Sequence, residues 1–160
     1  MKYAIIGSGK IGTALARTFA HRNIEVAIAN SRGPETLSSL AKELGPSVHP
    51  VSLQDTYEAD LIFLAVPFAA HKDLAQQFKQ WNGKIVVDQI NAFGVSTEEL
   101  GGLLSSEAVS NAFVGARLVK AFNHLPAGQR GMRPSTEGQR QVTFVSSKAW
   151  QAPKSAYFCS

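Results

Sequence analysis

The sequence has little of what disulfide-bonded, membrane-spanning or metal-binding proteins require. It contains one cysteine, Cys159, which leaves no partner for an intramolecular disulfide, and no residues at the usual metal-ligand spacing. No apolar run approaches the roughly 20 residues that span a bilayer. Glycines and Lys10 interrupt the apolar N-terminus, so no signal peptide is expected. These absences predict a cytoplasmic protein without a bound metal or a membrane partner.

Acidic residues are scarce in the last part of the chain. Residues 117–160 contain seven lysines and arginines but one acidic residue, Glu137, whereas residues 1–116 contain 9 basic and 11 acidic residues. A basic segment can indicate nucleic acid binding, but no basic stripe interleaved with aromatic residues and no RNA-binding motif accompanies it. We therefore expect no nucleic-acid partner. The basic part is interpreted as a rim beside a small anionic ligand or as a solvated tail.

The alternation of apolar and amphipathic segments predicts one α/β domain. The chain has 160 residues, of which 44% are hydrophobic and 18% charged, as in ordinary globular proteins. Apolar runs predict strands at residues 2–7, 25–30, 47–52, 61–67, 83–90, 116–125 and 140–147. Helical patterns lie between them, at residues 11–23, 33–45, 69–81 and 97–104, with a short turn or helix at 54–60. Such alternation predicts a doubly wound, mostly parallel sheet over residues 1–147, followed by a short atypical tail over 148–160.

A glycine-rich loop joins the first predicted strand to the first predicted helix. Gly7, Gly9 and Gly12 have the G-x-G-x-x-G spacing. In that context Gly7 makes the tight turn, Gly9 lets the backbone approach a pyrophosphate, and Gly12 lets the helix pack closely on the strand. The free amides and the positive end of the helix would face the phosphates. The loop predicts a Rossmann-type dinucleotide-binding domain; the alternative is a purely structural tight turn.

The end of the second predicted strand lacks the acidic residue that usually binds the adenosine ribose about 20 residues after the glycine loop. Asn30, Ser31 and Arg32 stand there instead. Asn30 removes a negative charge, Ser31 offers a hydroxyl donor, and Arg32 offers a planar set of donors for phosphate oxygens. Thr36 is within reach, beside the backbone amides after Gly33. This pattern favours NADP(H) over NAD(H), against the alternative of a surface arginine in a turn.

The sequence offers few groups for acid–base chemistry. It has no paired-carboxylate site and no Ser/His/Asp arrangement, and hydride transfer between two rings needs alignment more than a proton donor. If the acceptor were a carbonyl, His71 and His124 would be the candidates for a general acid, although each is also interpreted as a positioning or surface histidine. Asp88, at the end of the fifth strand, is expected to cap a loop.

Four segments together resemble a known family. The glycine loop, "ANSRGPETL" at 29–37, "LIFLAVPF" at 61–68 and "RLVKAFNHLPA" at 117–127 resemble the NADP reductases that depend on coenzyme F420, a deazaflavin. That family also includes bacterial dinucleotide-binding oxidoreductases and the cytosolic domains of STEAP metalloreductases. The resemblance covers most of residues 1–147.

The resemblance implies a set of coenzyme contacts. Around the pyrophosphate it implies Ser8, Gly9, Lys10 and Ile11. At the 2′-phosphate it implies Ser31 and Arg32. Beside the nicotinamide and its ribose it implies Val66 and Pro67, and Ala65 before them is also expected to bind the coenzyme. Along the wall where the nicotinamide meets its redox partner it implies Phe122, Asn123, Leu125, Pro126 and Ala127. Asn91 keeps the place of the asparagine in the family's Asn-Pro element, although the proline is absent from "VVDQINAFG".

The expected function is an NADP(H)-dependent oxidoreductase that exchanges hydride with a flavin or a deazaflavin co-substrate. The chain ends soon after the seventh predicted strand, where relatives of the family continue with structure that encloses the acceptor. Two alternatives therefore stay open: a non-catalytic NADP(H)-binding or sensor module, and a small-carbonyl or imine reductase completed by a second subunit. An open acceptor side is also a physical reason to expect a homodimer.

Overall fold

A parallel sheet forms the centre of the molecule. The computed structural model describes residues 1–122 and 145–146. Seven strands lie in these ranges: β1 Tyr3–Ile6, β2 Val26–Ala29, β3 Val48–Pro50, β4 Leu61–Leu64, β5 Ile85–Asp88, β6 Arg117–Ala121 and β7 Val145–Ser146. Their order in the sheet is β3-β2-β1-β4-β5-β6-β7, with all pairs parallel except β6–β7. The predicted doubly wound α/β fold is confirmed, and each predicted strand range contains a strand.

Helices cover both faces of this sheet. The described α-helices are α1 Lys10–His21, α2 Ser38–Leu44, α3 His71–Gln76 and α4 Ser105–Ala112. Short 3-10 turns occur at Pro34–Leu37, Gln54–Glu58 and Phe68–Ala70. Among the described helices, none has the length and apolar character needed to cross a bilayer.

Alternating strand residues build two separate cores. On one face, Ile5 and Phe63 pack with residues of α1 and its neighbours, such as Phe19. On the other face, Ile62 and its neighbours pack with α3 and α4. The second core includes Trp81, whose indole N–H donates to the Ala75 carbonyl at 3.0 Å. Strands buried on both faces explain why the sequence shows continuous apolar runs rather than alternation.

Three predicted helices differ from the structure. The helix predicted over 33–45 begins as a 3-10 turn at Pro34–Leu37, and only the following part, α2, is α-helical. The helix predicted over 69–81 begins as a 3-10 turn, and its α-helical part, α3, ends at Gln76. The helix predicted over 97–104 is wrong, because that stretch forms turns in which Gly101 and Gly102 have positive φ angles of 63° and 78°. The helix instead follows as α4, where the Glu107 carboxylate accepts a hydrogen bond from the Leu104 N–H at 3.1 Å.

Candidate functional site

A cleft of about 760 Å³ opens at the carboxyl edge of the sheet, where β1 and β4 lie side by side. The connection from β1 leads toward β2 on one side, and the chain later returns to β4 on the other. Open α/β sheets bind their ligands at such a reversal of strand order. The topology therefore marks this cleft as the candidate site.

The cleft brings together most of the expected coenzyme contacts that lie in the described part of the chain. Those that line it are Gly7, Ser8, Gly9, Asn30, Ser31, Arg32, Ala65, Val66 and Pro67. The expected residues that do not line it are Lys10, Ile11, Gly12, Thr36 and Asn91. Ala127 lies outside the described residues, as do Asn123, His124, Leu125 and Pro126. Phe122 is described: it follows β6 with a φ of 62° and packs partly against the core beneath α1.

The three glycines of the loop differ in how much space a side chain would have. A Cβ on Gly7, whose φ is 114°, would overlap the Ala65 carbonyl oxygen. A Cβ on Gly12 would overlap the carbonyl oxygen of Gly7, so α1 approaches β1 as closely as the sequence predicts. A Cβ on Gly9 would meet nothing within 4 Å. Gly7 and Gly12 are thus required by backbone packing, whereas Gly9 leaves space on the cleft side.

The N-terminus of α1 provides donors at this open position. Gly9 is the N-cap residue, and no side chain caps the helix. The first N–H groups of a helix have no partner within it, and the helix dipole places partial positive charge there. This combination is suited to binding phosphate, and the space at Gly9 lets a pyrophosphate approach the backbone. The residues present therefore fit a dinucleotide.

Asn30 connects the glycine loop to the turn after β2. Its Oδ1 accepts the Arg32 N–H at 2.8 Å, and its Nδ2 donates to Ser8 Oγ and to Thr36 Oγ1, each at 3.0 Å. The Thr36 hydroxyl donates to the Gly33 carbonyl at 2.8 Å. Ser31 and Arg32 are exposed, and Arg32 forms no ion pair with the residues that the structure describes. A cation and a hydroxyl thus stand at the cleft, and Asn30 occupies the end of β2 where a carboxylate is usual; the nearest acidic side chain in the sequence, Glu35, lies against Gly33 and forms no ion pair with Arg32.

Comparison with known proteins identifies the family. The model of the family "NADP oxidoreductase coenzyme F420-dependent" matches residues 2–92, which include the glycine loop, the turn after β2 and β4. The chain belongs to this family. It is an NADP-dependent oxidoreductase. Among curated proteins, none matches the sequence significantly.

Solved structures agree with this assignment. A hypothetical protein from Sinorhizobium meliloti is 45% identical, with a TM-score of 0.85 over 92% of this chain and 73% of that one. A protein from Arthrobacter sp. FB24, provisionally assigned as an F420-dependent NADP-reductase, is 25% identical, with a TM-score of 0.70 over the same shares of the two chains. A reductive aminase from Aspergillus terreus, solved with NADPH, is 18% identical, with a TM-score of 0.58 over 75% of this chain and 40% of its own, and shows the shared fold alone.

The cleft of this oxidoreductase has further walls that sequence reasoning missed. These additional lining residues are Ser52, Leu53, Ala70, Asp73, Leu74 and Gln77. Ser52 and Leu53 follow β3, whose predicted range ended at Ser52, so their place at the carboxyl edge follows from a parallel sheet. The others lie on or beside α3. Their orientation toward the cleft depends on how α3 packs, and no motif in the sequence signals it.

The histidine candidate that the structure describes does not lie at the coenzyme cleft of this oxidoreductase. His71 is 2% exposed, and its Nδ1 lies 2.5 Å from the Phe68 carbonyl oxygen. Since a carbonyl oxygen can only accept, Nδ1 carries the hydrogen. His71 lines a separate cleft of about 430 Å³ between α3 and α4. His71 thus lines this second cleft and not the coenzyme cleft, and the second candidate, His124, lies outside the described residues.

A buried ion pair fixes the chain just beyond β5. Asp88 is fully buried, and its Oδ2 lies 2.9 Å from Lys120 Nζ. The other carboxylate oxygen accepts the Ile90 N–H at 2.8 Å, while Lys120 Nζ donates to the Ile90 carbonyl. The pair thus holds both polar groups of Ile90, directly before Asn91. The prediction that Asp88 caps a loop is confirmed.

Proposed function

We propose that this oxidoreductase binds NADP(H) in the cleft and exchanges hydride between the nicotinamide and a flavin or deazaflavin acceptor. One observation carries the coenzyme part of the proposal: Ser31 and Arg32 stand exposed at the cleft after β2, and Asn30 takes the strand-end position of the usual carboxylate. A 2′-phosphate is attracted to a guanidinium and would be repelled by the carboxylate that NAD-binding domains use there.

The proposed mechanism assigns binding and orientation to this chain. The glycine loop and the first turn of α1 hold the pyrophosphate, and Ser31 and Arg32 hold the 2′-phosphate. Ala65, Val66 and Pro67 border the nicotinamide end and exclude water from it. When bound, NADPH supplies the hydride. Transfer between two aligned rings gains mainly from proximity and orientation, which fixed apolar walls can provide.

The chemistry of the β4 end supports an acceptor that needs no proton donor from the wall. Ala65, Val66 and Pro67 line the cleft there, and none of the three has an ionisable side chain; the acidic side chain that lines the cleft, Asp73, lies on α3 instead. Reduction of a carbonyl or an imine gains from a positioned acid, whereas hydride transfer to a flavin-like ring depends chiefly on alignment. The description of the matching family, which names coenzyme F420, agrees with this choice.

The proposal also covers the organisation of the protein. We assign residues 1–147 to the NADP-binding domain and residues 148–160 to a tail. We further propose a cytoplasmic location, which the single cysteine supports, and a homodimer whose second subunit completes the acceptor side.

The acceptor is tested by following NADPH absorbance with separate additions of FMN, FAD, a deazaflavin, simple carbonyls and a cyclic imine. We expect NADPH to be consumed with the flavin or deazaflavin acceptors and not with the carbonyls or the imine. NADPH consumption only with carbonyls or with the imine would contradict a flavin-like acceptor and would indicate a carbonyl or imine reductase. Tight NADPH binding without turnover of any of these compounds would instead indicate a binding module.

Coenzyme preference is tested with Arg32→Ala. A charge-assisted contact is worth about 1–3 kcal/mol, so NADP⁺ affinity is expected to fall by roughly 5- to 150-fold. NAD⁺ affinity should change little, because that coenzyme lacks the 2′-phosphate. Isothermal titration of both coenzymes measures the difference.

The matched control is Arg22→Ala, at an exposed arginine beyond the opposite end of α1. It should leave both affinities unchanged. Equal losses of NADP⁺ and NAD⁺ affinity in Arg32→Ala would contradict the role given to Arg32.

A further inference from the structure

The amide of Asn30 has its hydrogen-bonding capacity satisfied within the protein. The Arg32 N–H can only donate, so the Asn30 atom that faces it at 2.8 Å must be the oxygen. The amide nitrogen has two hydrogens, and Ser8 Oγ and Thr36 Oγ1 each lie 3.0 Å from it. Both donors are therefore used, which leaves Asn30 without a hydrogen for a ligand.

The same geometry determines what the two hydroxyl groups can do. Thr36 has one hydroxyl hydrogen and two acceptors within the protein: the Gly33 carbonyl oxygen at 2.8 Å, which is the nearer, and Asn30 Oδ1 at 3.4 Å. Ser8 Oγ accepts from Asn30, and none of the hydrogen bonds among the described residues uses the hydrogen of its own hydroxyl. Ser8 also lines the cleft, in the glycine loop at the N-terminus of α1. Ser8 is thus left as a donor toward an anion, whereas Thr36 serves to hold Asn30.

We propose that Asn30 is a positioning residue that presents the Ser8 hydroxyl to the pyrophosphate and the Arg32 turn to the 2′-phosphate. This inference rests on the proposed NADP(H) function. It differs from the role expected from the sequence, in which Asn30 and Thr36 contact the coenzyme and Asn30 chiefly removes a charge. In this arrangement one amide aligns the Arg32 turn with Ser8, which lies 22 residues before Asn30 in the chain.

The proposal predicts that Asn30 and Ser8 act as one unit. We expect Asn30→Ala to weaken NADH binding by roughly 3- to 10-fold, the range of one neutral hydrogen bond, because Ser8 loses its orientation. NADPH binding should weaken further, because the Arg32 turn loses its acceptor. Ser8→Ala should weaken both coenzymes about equally.

The decisive measurement is a double-mutant cycle with Ser8→Ala, Asn30→Ala and the double variant, titrated with NADH and with NADPH. When Asn30 is already alanine, adding Ser8→Ala should lower NADH affinity by less than about twofold. The reason is that both residues act through the same hydrogen bond, from the Ser8 hydroxyl to the pyrophosphate. Additive losses would overturn the inference. Failure of the unmodified protein to bind NADPH would overturn the proposed function itself, which keeps the two failures distinct.

Asn30→Asp supplies a second variant if Asn30→Ala does not fold. It keeps the oxygen that accepts the Arg32 N–H but lacks both amide hydrogens, so the Ser8 hydroxyl turns to donate to the new carboxylate. NADPH affinity should fall at least about tenfold more than NADH affinity, because the added charge also repels the 2′-phosphate. Equal losses of both coenzymes, with a lowered melting temperature, would mark Asn30 as merely structural and would overturn the proposal.

Discussion

Gly12→Ala is expected to destabilise the whole domain and to abolish coenzyme binding with it. The added Cβ would overlap the Gly7 carbonyl oxygen and would also crowd Ile5 at 3.4 Å. The clash involves backbone, which cannot rotate away as a side chain can, so α1 must shift from β1. Overpacking costs about 1–3 kcal/mol, and a clash with backbone atoms belongs at the upper end of that range. In a chain of this size that lowers the melting temperature by roughly 10 °C, measurable by calorimetry.

Gly9→Ala is the matched control in the same loop. Gly9 has a φ of −73°, which alanine adopts without strain, and its Cβ would enter open space. The melting temperature should therefore stay near that of the unmodified protein. NADPH affinity should nevertheless fall, because the new methyl group occupies the space proposed for the pyrophosphate. A stable, fully folded Gly12→Ala would contradict the packing argument, and unchanged NADPH binding by Gly9→Ala would contradict the proposed pyrophosphate position.

Lys120→Met is expected to lower stability by about 3–5 kcal/mol, the usual effect of removing one partner of a buried ion pair. The variant leaves the Asp88 carboxylate fully buried without its cation and removes a donor from the Ile90 carbonyl. Methionine retains a flexible apolar side chain of similar length, so the loss reflects charge more than packing. Urea denaturation measures the free energy of unfolding.

Two comparisons separate the buried charge from other effects. Adding Asp88→Asn to Lys120→Met should restore much of the stability, because asparagine keeps an oxygen for the Ile90 N–H and carries no charge. Arg17→Met removes the cation of an exposed pair with Glu43, whose side chains are 44% and 53% exposed, and should change stability by less than about 1 kcal/mol. If Lys120→Met lowered the free energy of unfolding no more than Arg17→Met does, the result would contradict the role given to the buried charge.

Sequence alone could predict the elements in which one physical requirement, such as burial or close backbone contact, determines the residue type. Strands buried on both faces give continuous apolar runs, so β4 and β5 are found at their predicted positions. The roles of Gly7 and Gly12 follow from a turn and a helix that touch, and the distances from a hypothetical Cβ agree. The placement of Ser31 and Arg32 at the cleft follows from parallel strands that end at one edge.

The failures occur where the backbone conformation of glycines or contacts between distant segments override the local pattern. The pattern of 97–104 resembles a helix locally, but Gly101 and Gly102 adopt positive φ and the helix starts after Leu104. His71 lies four residues after Pro67, close to the cleft in sequence, yet the packing of α3 turns it into the cleft shared with α4. The use of both Asn30 amide hydrogens depends on two hydroxyls from distant segments, which no local pattern encodes.

The short outer strand β3 has a consequence for solubility. The Val26 N–H donates to the Ser47 carbonyl at 2.9 Å, and the Val51 N–H donates to the Ile28 carbonyl at 3.0 Å. Because alternate residues of a strand direct their backbone groups to the same side, residue 50 directs its groups away from β2. Residue 50 is proline, which has no N–H to donate. The free edge of β3 is therefore short and lacks one backbone N–H donor. Both features disfavour pairing with a strand from another molecule, and so disfavour aggregation by sheet extension.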